Sequence, residues 1–288
     1  MGKTPIGHEL ILSVAGGLAS GLAWYPSCPG IILLVSFIPF FFITDTANPD
    51  ESVFGSRLIF IRVLPGLLIM NITALAWIRI AGLPLLITAI TGNTLLMGIT
   101  FWVAWFLAHI CGREKYGPFL LVFWLTMEYA TNKAGLLSPW LNLGNGLAGD
   151  TAIIQWYEYT GAAGGTLWIV CVNFLLFSFL KSLLSGRQQI VRKGIVSALV
   201  IVLPAVISLV IYHNYKEKGP VSEVVIVHPS TDNRDVKYRV NIYELTDIYL
   251  EILLPHLTDK TEYVVLPETA ITNAGWVGDF DNNLVFNH

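Results

Sequence analysis

Long apolar stretches separated by short polar connections dominate the first three quarters of the chain. A helix needs about 20 apolar residues to cross the hydrocarbon core of a bilayer, and its backbone groups must pair within the helix there. The pattern therefore predicts about seven transmembrane helices, of which the second and fifth are the shortest. They lie near residues 8–25, 29–43, 58–80, 83–110, 117–131, 161–184 and 194–213.

Charged residues divide the chain into two parts. Nineteen of them fall within residues 1–215 and 18 within the much shorter stretch 216–288. The hydrophobic share of 54% excludes an ordinary soluble protein, and the net charge of -3 gives no basic field for nucleic acid. A charged turn containing Gly219 and Pro220 follows the last apolar stretch. We therefore predict a helical membrane domain over 1–215 and a soluble domain over 216–288.

Positive charge concentrates between the sixth and seventh apolar stretches, where Lys181, Arg187, Arg192 and Lys193 occur with no acid between them. Cytoplasmic loops of membrane proteins carry an excess of Lys and Arg, so this connection is predicted to be cytoplasmic. Six helices before it place the N-terminus on the same side. The seventh helix then brings residues 216–288 to the outer face, which in a bacterium with two membranes is the periplasm.

The soluble part reads as the start of an α/β domain. A β-rich run at 221–227, helical apolar spacing over 239–257 and a second buried-type run at 263–266 follow one another. Strand, helix and strand in this order predict a parallel pair with a crossover. Because one such unit cannot cover both faces of its sheet, we expect the domain to be incomplete.

Glu268 is the residue with the clearest chemical character in this part. It follows Pro267 at the predicted carboxyl end of the second strand, where α/β folds place reactive groups. A carboxylate there is suited to act as a general base. The alternative is a structural carboxylate that starts a helix or forms an ion pair.

A family resemblance bears on this choice. Residues 263–271 (YVVLPETAI) resemble the strand-Pro-Glu-Thr-Ala-Ile signature of apolipoprotein N-acyltransferases, bacterial membrane enzymes with a nitrilase-like (carbon–nitrogen hydrolase) domain. Further resemblances occur in the family's order along essentially the whole chain. They are residues 137–146 (LSPWLNLGNG), residues 155–161, residues 164–168 with Asn173, and residues 225–232 with Lys237 and Tyr238.

The resemblance implies an enzyme of the bacterial inner membrane, with eight membrane helices and a periplasmic nitrilase-like domain between the seventh and eighth. It implies a phospholipid as acyl donor and, as acceptor, the α-amino group of the diacylglyceryl-cysteine at the N-terminus of an apolipoprotein. The acyl chain passes through a thioester on a cysteine of the enzyme. We expect no cofactor, no metal and no nucleic acid partner.

The family's Glu–Lys–Cys triad can be carried over only in part, with Glu268 as the general base. Cys28, Cys111 and Cys171 precede the nitrilase-like domain and are expected to be small buried apolar residues, and no lysine follows Glu268. We therefore expect an N-terminal fragment that is inactive alone.

Two tryptophans are candidate substrate-binding residues. Trp140 matches a family tryptophan in a loop predicted on the outer face, and Trp77 lies toward the outer end of the third apolar stretch. Both could instead be interfacial anchors, because Trp is enriched at membrane–water interfaces. Glu128, close to Asn132 and Lys133, is interpreted as a structurally paired acid near a helix end.

Two other function classes remain open. A membrane-tethered nitrilase-type amidase would share Glu268 but act on a small soluble substrate, for which the helical platform and the Pro-Trp loop have no use. A transporter or assembly scaffold would show internal repeats and charges at the membrane midplane, of which the sequence offers mainly Arg62.

Overall fold

The computed structural model describes residues 6–46, 57–135, 141–186, 189–228, 242–268 and 270. The chain divides into two compact units, Met1–Tyr215 and Lys216–His288. Each unit has its own apolar core.

The first unit is helical. Its α-helices are α1 (Ile6–Leu22), α2 (Leu33–Ser36), α3 (Ile38–Asp45), α4 (Arg57–Leu75), α5 (Leu83–Cys111), α6 (Tyr116–Ala134), α7 (Tyr157–Leu184) and α8 (Ile190–Asn214). Short 3₁₀ helices extend or connect them at Gly30–Ile32, Ala76–Ile80, Arg113–Lys115, Leu143–Leu147 and Thr151–Ile153.

Each of the seven apolar stretches is helical over most of its length. Four helices are long and apolar enough to cross a membrane, and they cover Leu58–Ile80, Leu83–Cys111, Tyr157–Leu184 and Ile190–Asn214. The apolar segment Gly30–Asp45 is shorter. The first unit therefore has the composition of a membrane domain, and the number of seven spans stays a prediction.

The shortest segment is interrupted at Phe37, between α2 and α3. Pro39, at the start of α3, has no backbone N–H to give. The N–H of Phe37, at the break itself, donates to Oδ1 of Asn173 on α7, at 2.8 Å. The side chain of Asn173 also donates to the carbonyl oxygens of Leu33 and Ile169, at 2.7 and 2.8 Å. A buried amide on a neighbouring helix thus satisfies the break.

Aromatic rings fill the centre of the first unit. Phe37 lies 5.1 Å from Trp124 and Phe40 lies 5.4 Å from Phe101, centroid to centroid, and Phe101 also contacts Trp124 at 5.8 Å. These tilted and edge-to-face contacts join the break at Phe37, α3, α5 and α6 and add to the stabilisation from burial.

Small residues let α1 and α4 approach closely. A Cβ on Gly17 would lie 2.0 Å from the carbonyl oxygen of Gly66, and one on Gly66 would lie 2.0 Å from the carbonyl oxygen of Ser13. The small residues at this contact therefore permit close packing of the two helices.

Helix α8 is the most apolar of the long helices and the one least covered by its neighbours. Only 11% of its most apolar 18-residue stretch is buried. A helix that is apolar all round belongs either in a protein core or in a bilayer. Because α8 is largely exposed within this unit and is apolar on its exposed surface, it has the character of a helix surrounded by lipid.

The second unit contains strand β1 (Glu223–Ile226), helix α9 (Ile242–Leu253), a 3₁₀ turn at Leu254–His256 and strand β2 (Thr261–Val265). The two strands pair in parallel, with an irregularity between Glu223 and Val224. The predicted parallel pair is confirmed. Its core consists of Val227, Leu245, Tyr249 and Ala270, with Val225 and Leu253 packed against it.

Candidate functional site

Glu268 lies in a turn directly after β2, at the carboxyl edge of the parallel pair. The N–H of Val227 donates to the carbonyl of Val265 at 2.9 Å and extends the pairing to that edge. The turn is closed by Ala270 N donating to Pro267 O at 3.1 Å, and the Ala270 side chain is buried. The Glu268 side chain is exposed. The position therefore agrees with the sequence prediction, while the role as base stays a prediction.

Of the two tryptophans predicted to bind substrate, only Trp77 lies within the described residues. Trp77 lies in the 3₁₀ segment Ala76–Ile80 that follows α4, and 48% of it is exposed. Trp140 lies outside the described residues. Trp77 belongs to the first unit and Glu268 to the second.

A buried carboxylate in the first unit accepts several hydrogen bonds. Glu128 on α6 is 6% exposed. Its Oε1 accepts hydrogen bonds from the indole N–H of Trp124 at 3.0 Å and from the backbone N–H of Leu143 at 2.8 Å. Its Oε2 accepts from the hydroxyl of Thr166 on α7 at 2.8 Å. All three donors are neutral. They link the carboxylate to its own helix, to the connection between α6 and α7, and to α7.

The same hydrogen-bond network includes Gly144, the residue after Leu143 in the connection between α6 and α7. The backbone N–H of Gly144 donates to Thr166 Oγ1 at 3.0 Å, and the hydroxyl of Tyr157 donates to the Gly144 carbonyl at 3.0 Å. A Cβ on Gly144 would lie 1.9 Å from the carbonyl oxygen of Ala162. Only glycine fits at this point, where the connection lies against the first turns of α7.

The rest of this connection is tied to other helices. The Ile31 N–H donates to Asp150 Oδ2 at 2.8 Å, and a Cβ on Gly30 would lie 2.1 Å from the carbonyl oxygen of Gly146. The Trp156 N–H donates to Ser208 Oγ on α8 at 3.4 Å. Residues 141–156 therefore lie at the end of the first unit where α6 and α8 end and α7 begins.

Two lysines with polar partners lie at the opposite end of these helices. Lys181 on α7 pairs with Asp45 at the end of α3. Lys193 on α8 donates to the Ser182 hydroxyl at 2.6 Å and to the Ser178 carbonyl at 3.3 Å. The described residues of the basic connection between α7 and α8 thus lie at one end of the helices, while Lys133, in the last turn of α6, lies at the other.

The sequence identified Glu128 as a paired acid but not its partners. Lys133 lies over the ring of Tyr129 at 5.9 Å, and the described partners of Glu128 are Trp124, Leu143 and Thr166. An acid inside an apolar stretch was the available signal. Leu143 and Thr166 are 15 and 38 residues away, a distance over which no helical period applies.

The cysteines differ from the sequence expectation. Cys111 is exposed at the end of α5, while Cys28 and Cys171 are half-buried. The expectation of three buried residues is wrong for Cys111, because its side chain lies on the outer surface of the last turn of α5. Within the described part of the chain, no three His, Cys, Asp or Glu side chains group in a way that could hold a metal ion.

The comparison with protein families gives one match. The model described as "Apolipoprotein N-acyltransferase N-terminal domain" matches residues 16–175, which is more than half of the chain. The matched range includes Trp77, Glu128, the Leu143–Leu147 turn and Thr166. No curated protein matches the chain.

Proposed function

Because the chain belongs to the apolipoprotein N-acyltransferase family, we propose that it transfers an acyl chain from a phospholipid to the N-terminal diacylglyceryl-cysteine of apolipoproteins. The observation that carries this proposal is the family match over residues 16–175. The apolar helices of the first unit support it, since the donor is a phospholipid and the acceptor carries a diacylglyceryl group, and both are held in a membrane by their acyl chains.

The proposed chemistry has two steps. In the first, the Glu268 carboxylate takes the proton of a cysteine thiol, the thiolate attacks the ester carbonyl of the phospholipid, and the lysophospholipid alcohol leaves with the proton. In the second, the α-amino group of the acceptor attacks the thioester and loses a proton, and the thiol is restored. The family resemblance places neither this thiol nor the triad lysine within residues 1–288.

The position of Glu268 supports its role as base. Its backbone follows the paired edge at Val227 and Val265 and lies in the turn closed by Ala270, and its side chain is exposed. A base must lie on a rigid element and within hydrogen-bonding reach of the proton that it removes.

We assign substrate contact to Trp140 and Trp77. The exposed ring of Trp77 at a helix end supports this assignment, because a tryptophan there presents an apolar face beside a polar N–H. At the membrane interface a lipid presents its polar headgroup next to the beginning of its acyl chains, which such a side chain can contact together.

We place the protein in the inner membrane of a bacterium, crossing it seven times within this chain, with the second unit in the periplasm. The gathering of Lys181 and Lys193 at one end of the helices supports a cytoplasmic location for that end. The end formed by residues 141–156 is then periplasmic.

The test uses the complete product of the gene, including any residues encoded after His288, in phospholipid nanodiscs. The donor is phosphatidylethanolamine with an alkyne-tagged acyl chain, and the acceptor is a diacylglyceryl-cysteine peptide. Transfer by the wild-type protein is expected, and Glu268→Gln is expected to lower it by a factor of about 10² to 10⁴, the usual contribution of a general base.

Glu262→Gln is the matched control, because Glu262 is an exposed acid of the same strand whose carboxylate accepts from the Ser222 hydroxyl at 2.7 Å. It should keep wild-type transfer. Absence of transfer by the wild-type protein would overturn the proposed function. Transfer by Glu268→Gln within threefold of wild type would overturn the base role alone.

A further inference from the structure

A groove with a volume of about 580 Å³ lies on the surface of the first unit, between α6, α7 and α8. This volume falls within the range of about 300–1,000 Å³ that is usual for ligand sites. Its lining surface is almost wholly apolar. Leu199 and Leu203 of α8 line it and are 59% and 58% exposed, so the groove is open to the surroundings of the unit.

A break in the hydrogen bonding of α8 contributes to the shape of the groove. Pro204 has no N–H to donate to the carbonyl oxygen of Val200, four residues earlier. The indole N–H of Trp168 on α7 donates to that oxygen instead, at 2.7 Å. Trp168 is 4% exposed, and the small residue Ala163 lines the groove one and a half turns earlier on α7. The wall is therefore held by a specific contact between two helices.

The two tryptophans of the groove use their polar groups within the protein. The indole N–H of Trp156 donates to the carbonyl oxygen of Ile153 at 3.2 Å, as that of Trp168 does to Val200. Their rings meet edge to face, with centroids 5.7 Å apart. A polar ligand would lose its hydration without gaining partners, and a bound water needs two to four polar partners. The lining therefore selects an apolar ligand.

The dimensions of the groove limit what can fill it. Its lining on α7 runs from Thr160 to Trp168, about 12 Å at a rise of 1.5 Å per residue. Spread over this length, the volume gives a mean cross-section of about 50 Å², whereas a helix 10 Å across fills about 80 Å². The groove is too narrow for another membrane helix and has room for a hydrocarbon chain.

The surroundings of the groove supply such chains. The family and the apolar helices indicate that the first unit lies in a membrane. The groove is continuous with the exposed apolar face of α8, which the bilayer would cover. It begins beside Trp156, at the end of the unit formed by residues 141–156, and its length approaches the 15 Å or so of hydrocarbon in one leaflet.

We propose that this groove holds one acyl chain of a bilayer phospholipid, which stays with the protein as a bound lipid. The chain lies against the rings of Trp156 and Trp168 and beside Pro204, and it fills a space that neither water nor a helix fits. This inference goes beyond the proposed acyl transfer, because it needs only a membrane location and involves no bond making or breaking.

Native mass spectrometry of the full chain, extracted into detergent from phosphatidylethanolamine nanodiscs, tests the proposal. The wild-type protein should keep one phosphatidylethanolamine per chain. Ala163→Phe places a ring in the groove and should lower the lipid-bound fraction at least fivefold, and Leu203→Trp should do the same from α8. Ala198→Phe is the matched control, because Ala198 is exposed on α8 outside the groove lining. It should keep the bound fraction within twofold.

A second measurement on the wild-type protein keeps the test decisive if the filled variants do not fold. Phosphatidylethanolamine with a diazirine in its acyl chain should label residues 156–168 and 199–204 at least fivefold more than the exposed apolar residues 83–87 of α5. Equal labelling of these segments, or equal lipid retention by wild type and both filled variants, would overturn the proposal. A lipid-free dimer as the retained species would assign the groove to a second copy and overturn it as well.

Discussion

Arg62 on α4 forms an ion pair with Glu9 on α1, with Nε 3.1 Å from Oε2. The carboxylate side chain is 9% exposed and the guanidinium side chain 24%. Thr46, just after α3, donates to the other carboxylate oxygen at 3.4 Å. Arg62 is the charge that the transporter hypothesis relied on. It pairs with Glu9 between two closely packed helices, and a structural role explains this arrangement.

Removal of one partner of this pair should destabilise the protein strongly. Arg62→Leu leaves the Glu9 carboxylate buried without its guanidinium partner, at a cost of about 3 kcal/mol. The double variant Glu9→Leu with Arg62→Leu should be more stable than Arg62→Leu alone, because no charge is left buried. Thermal unfolding in detergent measures both variants, and a double variant no more stable than Arg62→Leu would contradict the structural interpretation of the pair.

The contact between Gly17 and Gly66 predicts intolerance to a single methyl group. Gly17→Ala should lower the free energy of unfolding by about 1–3 kcal/mol, because its Cβ would overlap the Gly66 carbonyl oxygen. Gly7→Ala is the control on the same helix, since nothing lies within 4 Å of its added Cβ. It should be neutral or slightly stabilising. Equal melting temperatures for the two variants would show that α1 and α4 are not in close contact.

Glu223 gives the second unit a dependence on pH. Hydrogen bonds from the hydroxyls of Thr258 at 2.5 Å and Thr261 at 2.7 Å hold the pKa of this half-buried residue's carboxyl below its ordinary value. A lowered folded-state pKa contributes stability above the unfolded-state pKa, and that stability is lost as the pH falls through the folded-state pKa. Removing a donor should raise the pKa.

Carboxyl ¹³C NMR of the full chain tests this expectation. Thr258→Val should shift the Glu223 titration to higher pH, while Thr258→Ser keeps the hydroxyl and should leave the titration near that of wild type. An unchanged titration in Thr258→Val would rule out this hydrogen bond as the main cause.

The proposed topology predicts opposite locations for two points of the chain. A reporter fused after Gly186, between α7 and α8, should read as cytoplasmic, and one fused after Lys218 should read as periplasmic. The basic residues near the first point favour its retention in the cytoplasm. Two reporters on the same side would exclude α8 as a span, and reversed signals would invert the proposed orientation.

Prediction from the sequence succeeded for helices and strands whose length and hydropathy are visible within a single segment. The apolar stretches at 83–110 and 194–213 became α5 and α8 with bounds that differ by a few residues, because length and hydropathy are local properties. The parallel pair of β1 and β2 was also predictable, since strand, helix and strand in succession allow few other arrangements. The break at Phe37 was not predicted, because it depends on Asn173 far along the chain.

The candidate site was predictable to a lesser extent. The turn at Glu268 lies where the strand pattern placed it, and the family resemblance agrees with the match over residues 16–175. The partners of Glu128 come from three elements, and their meeting depends on how α6, α7 and the connection between them pack.

The sequence by itself determined that this protein has a helical apolar part and a more polar part, and it determined the family, because composition, period and motif are written along the chain. Only the tertiary structure decided that Glu128 holds Leu143 and Gly144, that Gly17 meets Gly66, and that Arg62 pairs with Glu9. Such contacts are set by packing between distant segments, where sub-ångström distances determine which polar groups are satisfied.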